Sequence, residues 1–315
     1  MKISVIMLTY NREKLVADAV RSILDQTFGD FEYIIVDNGS DDKSGLIVEE
    51  FARADDRIRV VHIPKSNIGT GRNTGLKSAL GDYIAFVDDD DTASPDMLEF
   101  LLKLADGYDA DISICGSTKK KDGRIVKNYV FDDILVMNAA EAVAEMLKRK
   151  RYNVGMPTKL FRRHLFDNIR FFESGRYDDI TVGYRLLAGA KRVVAHGLPK
   201  YCILRHEGNN SAFTTYDKLL NPGQLNEYLD AFRERTEYLK RVLPEIGDFA
   251  CYSEWSYMIS MCNKIVQNDL ADCREPLARI KKELTEHYGE FYHSPYIEEF
   301  EKEFMRRYIE APGHV

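Results

Sequence analysis

The stretch Gly81-Asp82-Tyr83-Ile84-Ala85-Phe86-Val87-Asp88-Asp89-Asp90-Asp91 decides how this chain is read. Five apolar residues in succession, Tyr83 to Val87, predict a strand buried on both faces. It runs directly into four consecutive carboxylates. Carboxylates a few ångströms apart repel one another and resist ionisation unless a cation relieves them. An oxygen-only donor set suits Mg²⁺ or Mn²⁺, which complete their shells with phosphate oxygens and water. The plainer alternative is a solvated loop that caps the following helix.

Three similar units precede this stretch. Ile3 to Leu8, Phe31 to Val36 and Ile58 to Ile63 read as buried strands. Between the first two, Leu15, Val16, Ala19, Val20, Ile23 and Leu24 recur at helical spacing. The turn cluster Asp37-Asn38-Gly39-Ser40-Asp41-Asp42 is expected to cap a helix through Phe51. The glycine-punctuated segment Asn67 to Gly75 is expected to lead into a short helix, and Pro95 to sit in the first turn of a helix through Ala105. Strict alternation of strand and helix predicts a mostly parallel sheet covered on both faces, which binds ligands at the carboxyl ends of its strands. Three of the four strand ends are polar: Thr9 to Arg12, Asp37 to Asp42, and Asp88 to Asp91. An isolated carboxylate such as Asp37 can accept hydrogen bonds from a nucleobase or ribose, and Tyr10 can offer a ring face for stacking. Arg72, within Gly69-Thr70-Gly71-Arg72-Asn73-Thr74-Gly75, can bring positive charge to phosphates that the glycines let approach. That glycine spacing misses the dinucleotide fingerprint by one residue and follows the third strand, which argues against a nicotinamide cofactor.

Beyond Asp111 the pattern changes. Ile112 to Gly116 is a further strand, Asp122-Gly123 reads as a hairpin turn, and Asn138 with Glu141 has the spacing of a capping box for a helix through Lys148. Tyr177-Asp178-Asp179 opens a helix to Leu187, and Val193 to Leu204 is strand-like. Helices are expected over 225–243, 249–267, 275–288 and 296–308. The aromatic residues in this region (Phe232, Tyr238, Trp255, Tyr257, Phe291, Tyr292 and Phe304) read as core.

The 315 residues carry a net charge of −7, which argues against nucleic acid as the partner. The last hundred residues hold 19 acidic and 13 basic side chains, so nearly all of that excess sits in the C-terminal third. Five cysteines without a C-x-x-C pair read as reduced thiols. Met1-Lys2-Ile3-Ser4 enters an apolar run without a signal-peptide pattern, and no window has the ~18 apolar residues of a spanning helix. The expected location is therefore cytoplasmic. The basic run Lys148-Arg149-Lys150-Arg151 reads as a solvated helix end, with contact to the inner face of an anionic membrane as the alternative.

Taken together, Val5 to Arg12, Ile23 to Phe28, Ile35 to Asp42, Asn67 to Gly75 and Gly81 to Asp91 resemble glycosyltransferase family 2, an inverting group with a GT-A fold. Lys159-Leu160-Phe161-Arg162, Tyr177-Asp178-Asp179-Ile180 and Tyr201 through Ser211 match more loosely. The resemblance implies a GT-A domain over 1–215, with a nucleotide-binding half near 1–110 and an acceptor half near 111–215. A helical appendage over 216–315 follows. It places Thr9, Tyr10, Asn11, Arg12, Asp37, Gly69, Arg72, Asp88 and Asp89 around a nucleotide-sugar donor, usually a UDP-sugar. It places Asp88, Asp90 and His206 near a Mg²⁺ or Mn²⁺ ion, and Asp179 as general base, with Asp178 where the family more often has glutamate. The implied acceptor is a saccharide or lipid-linked hydroxyl, as in bacterial surface-polysaccharide synthesis, and the C-terminal helices are a candidate homodimer contact. Two rival readings remain. One is a non-catalytic nucleotide-sugar-binding module. The other is a haloacid-dehalogenase-like phosphatase, whose D-x-D-x-T pattern Asp88 to Thr92 also fits, although that motif normally follows the first strand.

Overall fold

The computed structural model describes residues 1–209, 212–214 and 216–310; Asn210 and Ser211, at the end of the last family-like segment, lie outside these. Two compact units form, 1–206 and 207–315.

The first unit is built on a ten-stranded mixed sheet with helices on both sides. Its amino-terminal part comprises β1 (Ile3–Thr9), α1 (Val16–Leu24), β2 (Phe31–Asp37), α2 (Ser44–Ala54), β3 (Ile58–His62), α3 (Ile68–Ser78) and β4 (Tyr83–Asp88). The strands lie in the order β3-β2-β1-β4, all parallel, with Thr9 opposite Asp37 and Leu8 opposite Asp88. This register brings the three polar strand ends together. Ile3, Val5 and Met7 pack with Val16, Val20 and Ile23 on one face of the sheet. On the other face α3 presses on β1. A methyl group on Gly71 would stand 2.2 Å from Leu8 Cδ1, one on Gly75 2.4 Å from Ile6 Cγ2, and one on Gly69 would collide with the Phe172 carbonyl. The glycine-punctuated segment is therefore itself the helix, capped by Asn67, whose side chain accepts from Thr70 N. Its glycines are bare because the helix lies against the sheet and the 171–172 segment, and Gly69 meets protein backbone rather than an open phosphate site.

Next come β5 (Thr92–Ala93), α4 (Met97–Gly107), β6 (Ile112–Lys121), β7 (Arg124–Tyr129), β8 (Ile134–Met137), α5 (Ala139–Lys148), β9 (Lys159–Arg162), α6 (Asp179–Gly189) and β10 (Val193–Leu204). Pro95 precedes α4, whose first turn begins after Asp96. The hairpin turn holds, with Asp122 at φ 49° and Gly123 at φ 76°, as a two-residue turn between twisted strands requires. The Asn138–Glu141 capping box is present. Beside the parallel block the sheet turns antiparallel: β9 pairs with both β4 and β6, while β10 runs parallel to β6.

The second unit contains α7 (Pro222–Val242), α8 (Gly247–Gln267), α9 (Arg274–Glu286), α10 (Tyr288–Tyr292) and α11 (Glu299–Met305). Phe232, Trp255 and Phe291 are buried, and the other four aromatic residues expected in the core are half-buried. Among the described residues no disulfide forms, and no helix is long and apolar enough to cross a membrane.

Candidate active site

The four aspartates at the end of β4, Asp88 to Asp91, divide by task. Asp91 Oδ1 accepts a hydrogen bond from Leu204 N at 2.7 Å, so the buried Asp91 ties the strand end to β10. Asp88 N donates to the Tyr201 hydroxyl at 3.0 Å, a second tie to β10. Asp89 Oδ2 accepts from Tyr10 N at 3.1 Å, and its other oxygen lies 3.5 Å from Arg12 Nε. Asp90 Oδ2 lies 2.9 Å from His206 Nε2 and 3.9 Å from Arg12 Nε. Burial raises the Asp88 carboxyl to about 6, against the neighbouring Arg72 and with Asp90 adding repulsion. Burial and then Asp90 raise Asp89 to about 7, against Arg12. Carboxylates this reluctant to ionise are what a cation would relieve.

Arg72, on α3, lies 2.8 Å from Asp178 Oδ2 and 3.4 Å from Asp88 Oδ1, over the rings of Phe86 and Phe171. Its side chain is 11% exposed, yet Nη1 has no hydrogen-bond partner. A buried donor left open in this way suits an anion that completes it. The two aspartates at the start of α6 also separate. Asp178 is buried and committed to Arg72. Asp179 is half-buried, with Oδ1 accepting from Ile180 N at 2.8 Å. Burial and then Asp178 raise the Asp179 carboxyl to about 6, while Arg72 and Lys159 oppose. Lys159 is 2% exposed and donates to the Gly155 carbonyl. Burial pushes its ammonium down to about 8. Sequence reading passed over Lys159, although it opens one of the loosely family-like segments.

On the nucleotide side several expected contacts are already filled. Lys65 Nζ lies over the Tyr10 ring, 2.9 Å from its centroid, and occupies one stacking face. Asn11, in the left-handed region at φ 52°, accepts from Asp41 N at 2.9 Å and so locks the loop after β1 to the loop after β2. Asp37 is engaged at both oxygens, by His62 Nδ1 at 2.9 Å and Ser40 N at 3.1 Å. His62 ends β3 directly opposite Asp37, and its Nε2 lies 2.9 Å from Glu49. Neighbouring parallel strands of equal reach place their last residues side by side, and that signal could have exposed His62 in the sequence.

Asp37 first, and Glu49 second, raise the His62 pKa above the usual 6.5. A raised folded value gives stability that is complete below about pH 6.5 and is lost as pH rises through the folded pKa. Thermal melts of the wild type should therefore fall more steeply above pH 6.5 than those of His62→Gln. Equal slopes would refute the coupling.

Among the described residues no group of three or more His, Cys, Asp or Glu side chains forms a ready-made metal cage. The residues at hand are Asp90 with His206 against it, and Asp88 turned toward Arg72. Two hard carboxylates fit a cation that draws its remaining oxygens from a bound diphosphate and water.

A family model described as glycosyl transferase family 2 matches residues 4–170. The chain belongs to glycosyltransferase family 2. The chain is similar to glycosyltransferase GlyG of Streptococcus pneumoniae, 32% identical over 66% of this chain and 72% of that protein. It is also similar to EpsJ of Bacillus subtilis, 37% identical over 61% of this chain; the match spans 57% of the length of EpsJ. Among solved structures, S. aureus TarS 1-349 in complex with UDP-GlcNAc superposes with a TM-score of 0.67. It covers 98% of this chain and 82% of that one at 20% identity. The mannosyltransferase PcManGT of Pyrobaculum calidifontis, in complex with GDP-Man and Mn²⁺, gives 0.51 at 14% identity, covering 82% and 74%. Both share the fold, a GT-A sheet. Family membership removes the phosphatase reading, and the aspartates follow the fourth strand, where that chemistry does not place its motif.

Proposed function

We propose that this chain is an inverting transferase that moves a sugar from a UDP-sugar to a hydroxyl of a saccharide or lipid-linked acceptor, with Asp179 as general base. One observation carries the reading. Of two adjacent aspartates at the start of α6, Asp178 is paired with Arg72, and the half-buried Asp179 keeps a carboxyl near 6. A base of that strength is ionised at neutral pH and still accepts a proton from a hydroxyl in the transition state. Asp179 takes the acceptor proton as the acceptor oxygen attacks the anomeric carbon from the face opposite the leaving diphosphate, so the configuration inverts. Arg72 presents its open Nη1 to the diphosphate as charge grows there. Asp88, Asp90 and His206 would hold Mg²⁺ or Mn²⁺, which supplies further positive charge for the leaving group. Thr9, Tyr10, Asn11, Arg12, Asp37 and Asp89 shape the walls around the nucleotide. The 1–215 and 216–315 division, a dimer through the C-terminal helices and a location at the inner membrane face are part of the same reading.

Calorimetric titration with UDP and Mn²⁺ tests the metal assignment. Asp90→Ala should weaken UDP binding roughly tenfold and abolish the effect of adding metal. An unchanged titration would count against Asp90. Donor hydrolysis by the wild type with Mn²⁺ separates an enzyme from a binding module, because a module would turn over no UDP-sugar.

A further inference from the structure

Packing alone does not account for Lys159. It opens β9 opposite Ile114 and is 2% exposed. Its ammonium has three N–H donors. One goes to the Gly155 carbonyl, and Nζ lies 6.0 Å from the centre of the buried Tyr152 ring. Among the described residues no carboxylate pairs with it. A buried ammonium is costly without a counter-charge, and an apolar side chain of the same length would avoid that cost. The residue before it adds strain. Thr158 is β-branched yet sits in the left-handed region at φ 75°, pinned by Cys115 N donating to its carbonyl at 2.9 Å.

The carbonyl that Lys159 holds belongs to a segment laid along the start of α6. A methyl group on Gly183 would stand 2.5 Å from both Val154 Cγ2 and the Val154 carbonyl oxygen, and 3.1 Å from Met156 Cε, so this segment fits tightly on the helix there. Asp179 lies one turn earlier on the same face. A methyl group on Gly155 would stand 3.8 Å from Asp179 Oδ2, and Gly155 N donates to Asn153 Oδ1 at 3.1 Å. Gly155 is thus hydrogen-bonded to the ammonium and also lies against the carboxylate of the base.

We propose that Lys159 is a positioning residue for Asp179: its ammonium fixes the 153–156 segment against the first turns of α6 and keeps a positive charge behind the carboxylate, taking no part itself in proton transfer. The inference rests on the reading of Asp179 as general base and deepens it. Other charged groups face Asp179: Asp178 beside it, Arg72 from α3, and Asp88 at the end of β4. Arg72 is already paired with Asp178, whereas Lys159 has no carboxylate of its own. The Cys115 thiol on β6 also faces Lys159, and burial pushes it up to about 12, so it stays neutral.

The test compares the full-length wild type with Lys159→Met. The substitution removes a buried charge at nearly constant side-chain length, so the melting temperature at pH 7 should equal or exceed that of the wild type. The Asp179 carboxyl is followed by carbon-13 NMR titration, its resonance assigned by its absence in Asp179→Asn. Its midpoint should lie about one pH unit higher in Lys159→Met. Turnover with a UDP-sugar should accordingly fall roughly fivefold at pH 6 and approach the wild type at pH 8, with KM for the donor unchanged. If Lys159→Met folds poorly, the same shift is read in Lys159→Gln, which keeps a donor for Gly155 and loses the charge. An unmoved Asp179 midpoint would overturn the proposal. So would an equal loss of turnover at pH 6 and pH 8, which would make Lys159 a structural residue only. The NMR titration needs no turnover, so the two readings fail separately. A wild type that transfers no sugar would sink the transferase reading, while a shifted midpoint would still tie Lys159 to Asp179.

Discussion

Asp179→Asn is expected to reduce sugar transfer by roughly 10²–10⁴-fold, the range that a positioned general base contributes. UDP binding should be nearly unchanged, because Asp178 rather than Asp179 holds Arg72. The same substitution should make the protein more stable. A carboxyl raised to about 6 by burial is more costly to ionise when folded than when unfolded, so its presence lowers stability as pH rises from about 4 to 6. The amide carries no such cost. Thermal melts at pH 7 should place Asp179→Asn above the wild type and at pH 4 should bring the two together. Wild-type transfer should also rise with pH through the region near 6. Near-normal turnover in the variant would remove Asp179 from the chemistry, and a lower melting temperature at pH 7 would show that it is structural.

The second large effect is expected at Arg72. Removing one member of a buried ion pair costs about 3–5 kcal/mol because the remaining charge stays buried and unpaired. Arg72→Met should therefore lower the melting temperature sharply, as it strands Asp178, which is 7% exposed. It should also abolish measurable UDP binding. Adding Asp178→Asn removes the stranded charge, so the double variant should recover most of the lost stability and none of the UDP affinity. That split separates the two tasks assigned to Arg72, as a pair in direct contact is expected to be non-additive. Recovery of UDP affinity in the double variant would mean that Arg72 only neutralises Asp178.

The two predictions draw on residues that differed in legibility. The alternation of apolar runs with helical spacing, and the polar clusters after Leu8, Val36 and Val87, placed the site at the strand ends of a sheet covered on both faces. Tyr177-Asp178-Asp179 marked a helix start with two carboxylates. The resemblance pointed to Asp179 of the two, but the local chain could not show that Asp178 faces Arg72, about a hundred positions away. Asp37 and Tyr10 were read as open to a nucleotide, yet His62, Ser40 and Lys65 already engage them. Ser40 comes from the same turn as Asp37, while His62 and Lys65 come from the edge strand and the loop after it.

The sequence by itself determined the periodicity, and through it four buried strands alternating with helices, the polar strand ends, the 122–123 hairpin and the 138–141 cap. Each of these follows from residues within a few positions of one another. Tertiary structure alone decided the division of labour among the four aspartates, the burial of Lys159 and the packing that keeps Gly69, Gly71 and Gly75 bare. The physical reason is the same in each case: ionisation, hydrogen-bond satisfaction and close packing are set by neighbours in space, and the mixed half of the sheet brings together residues that no local pattern links.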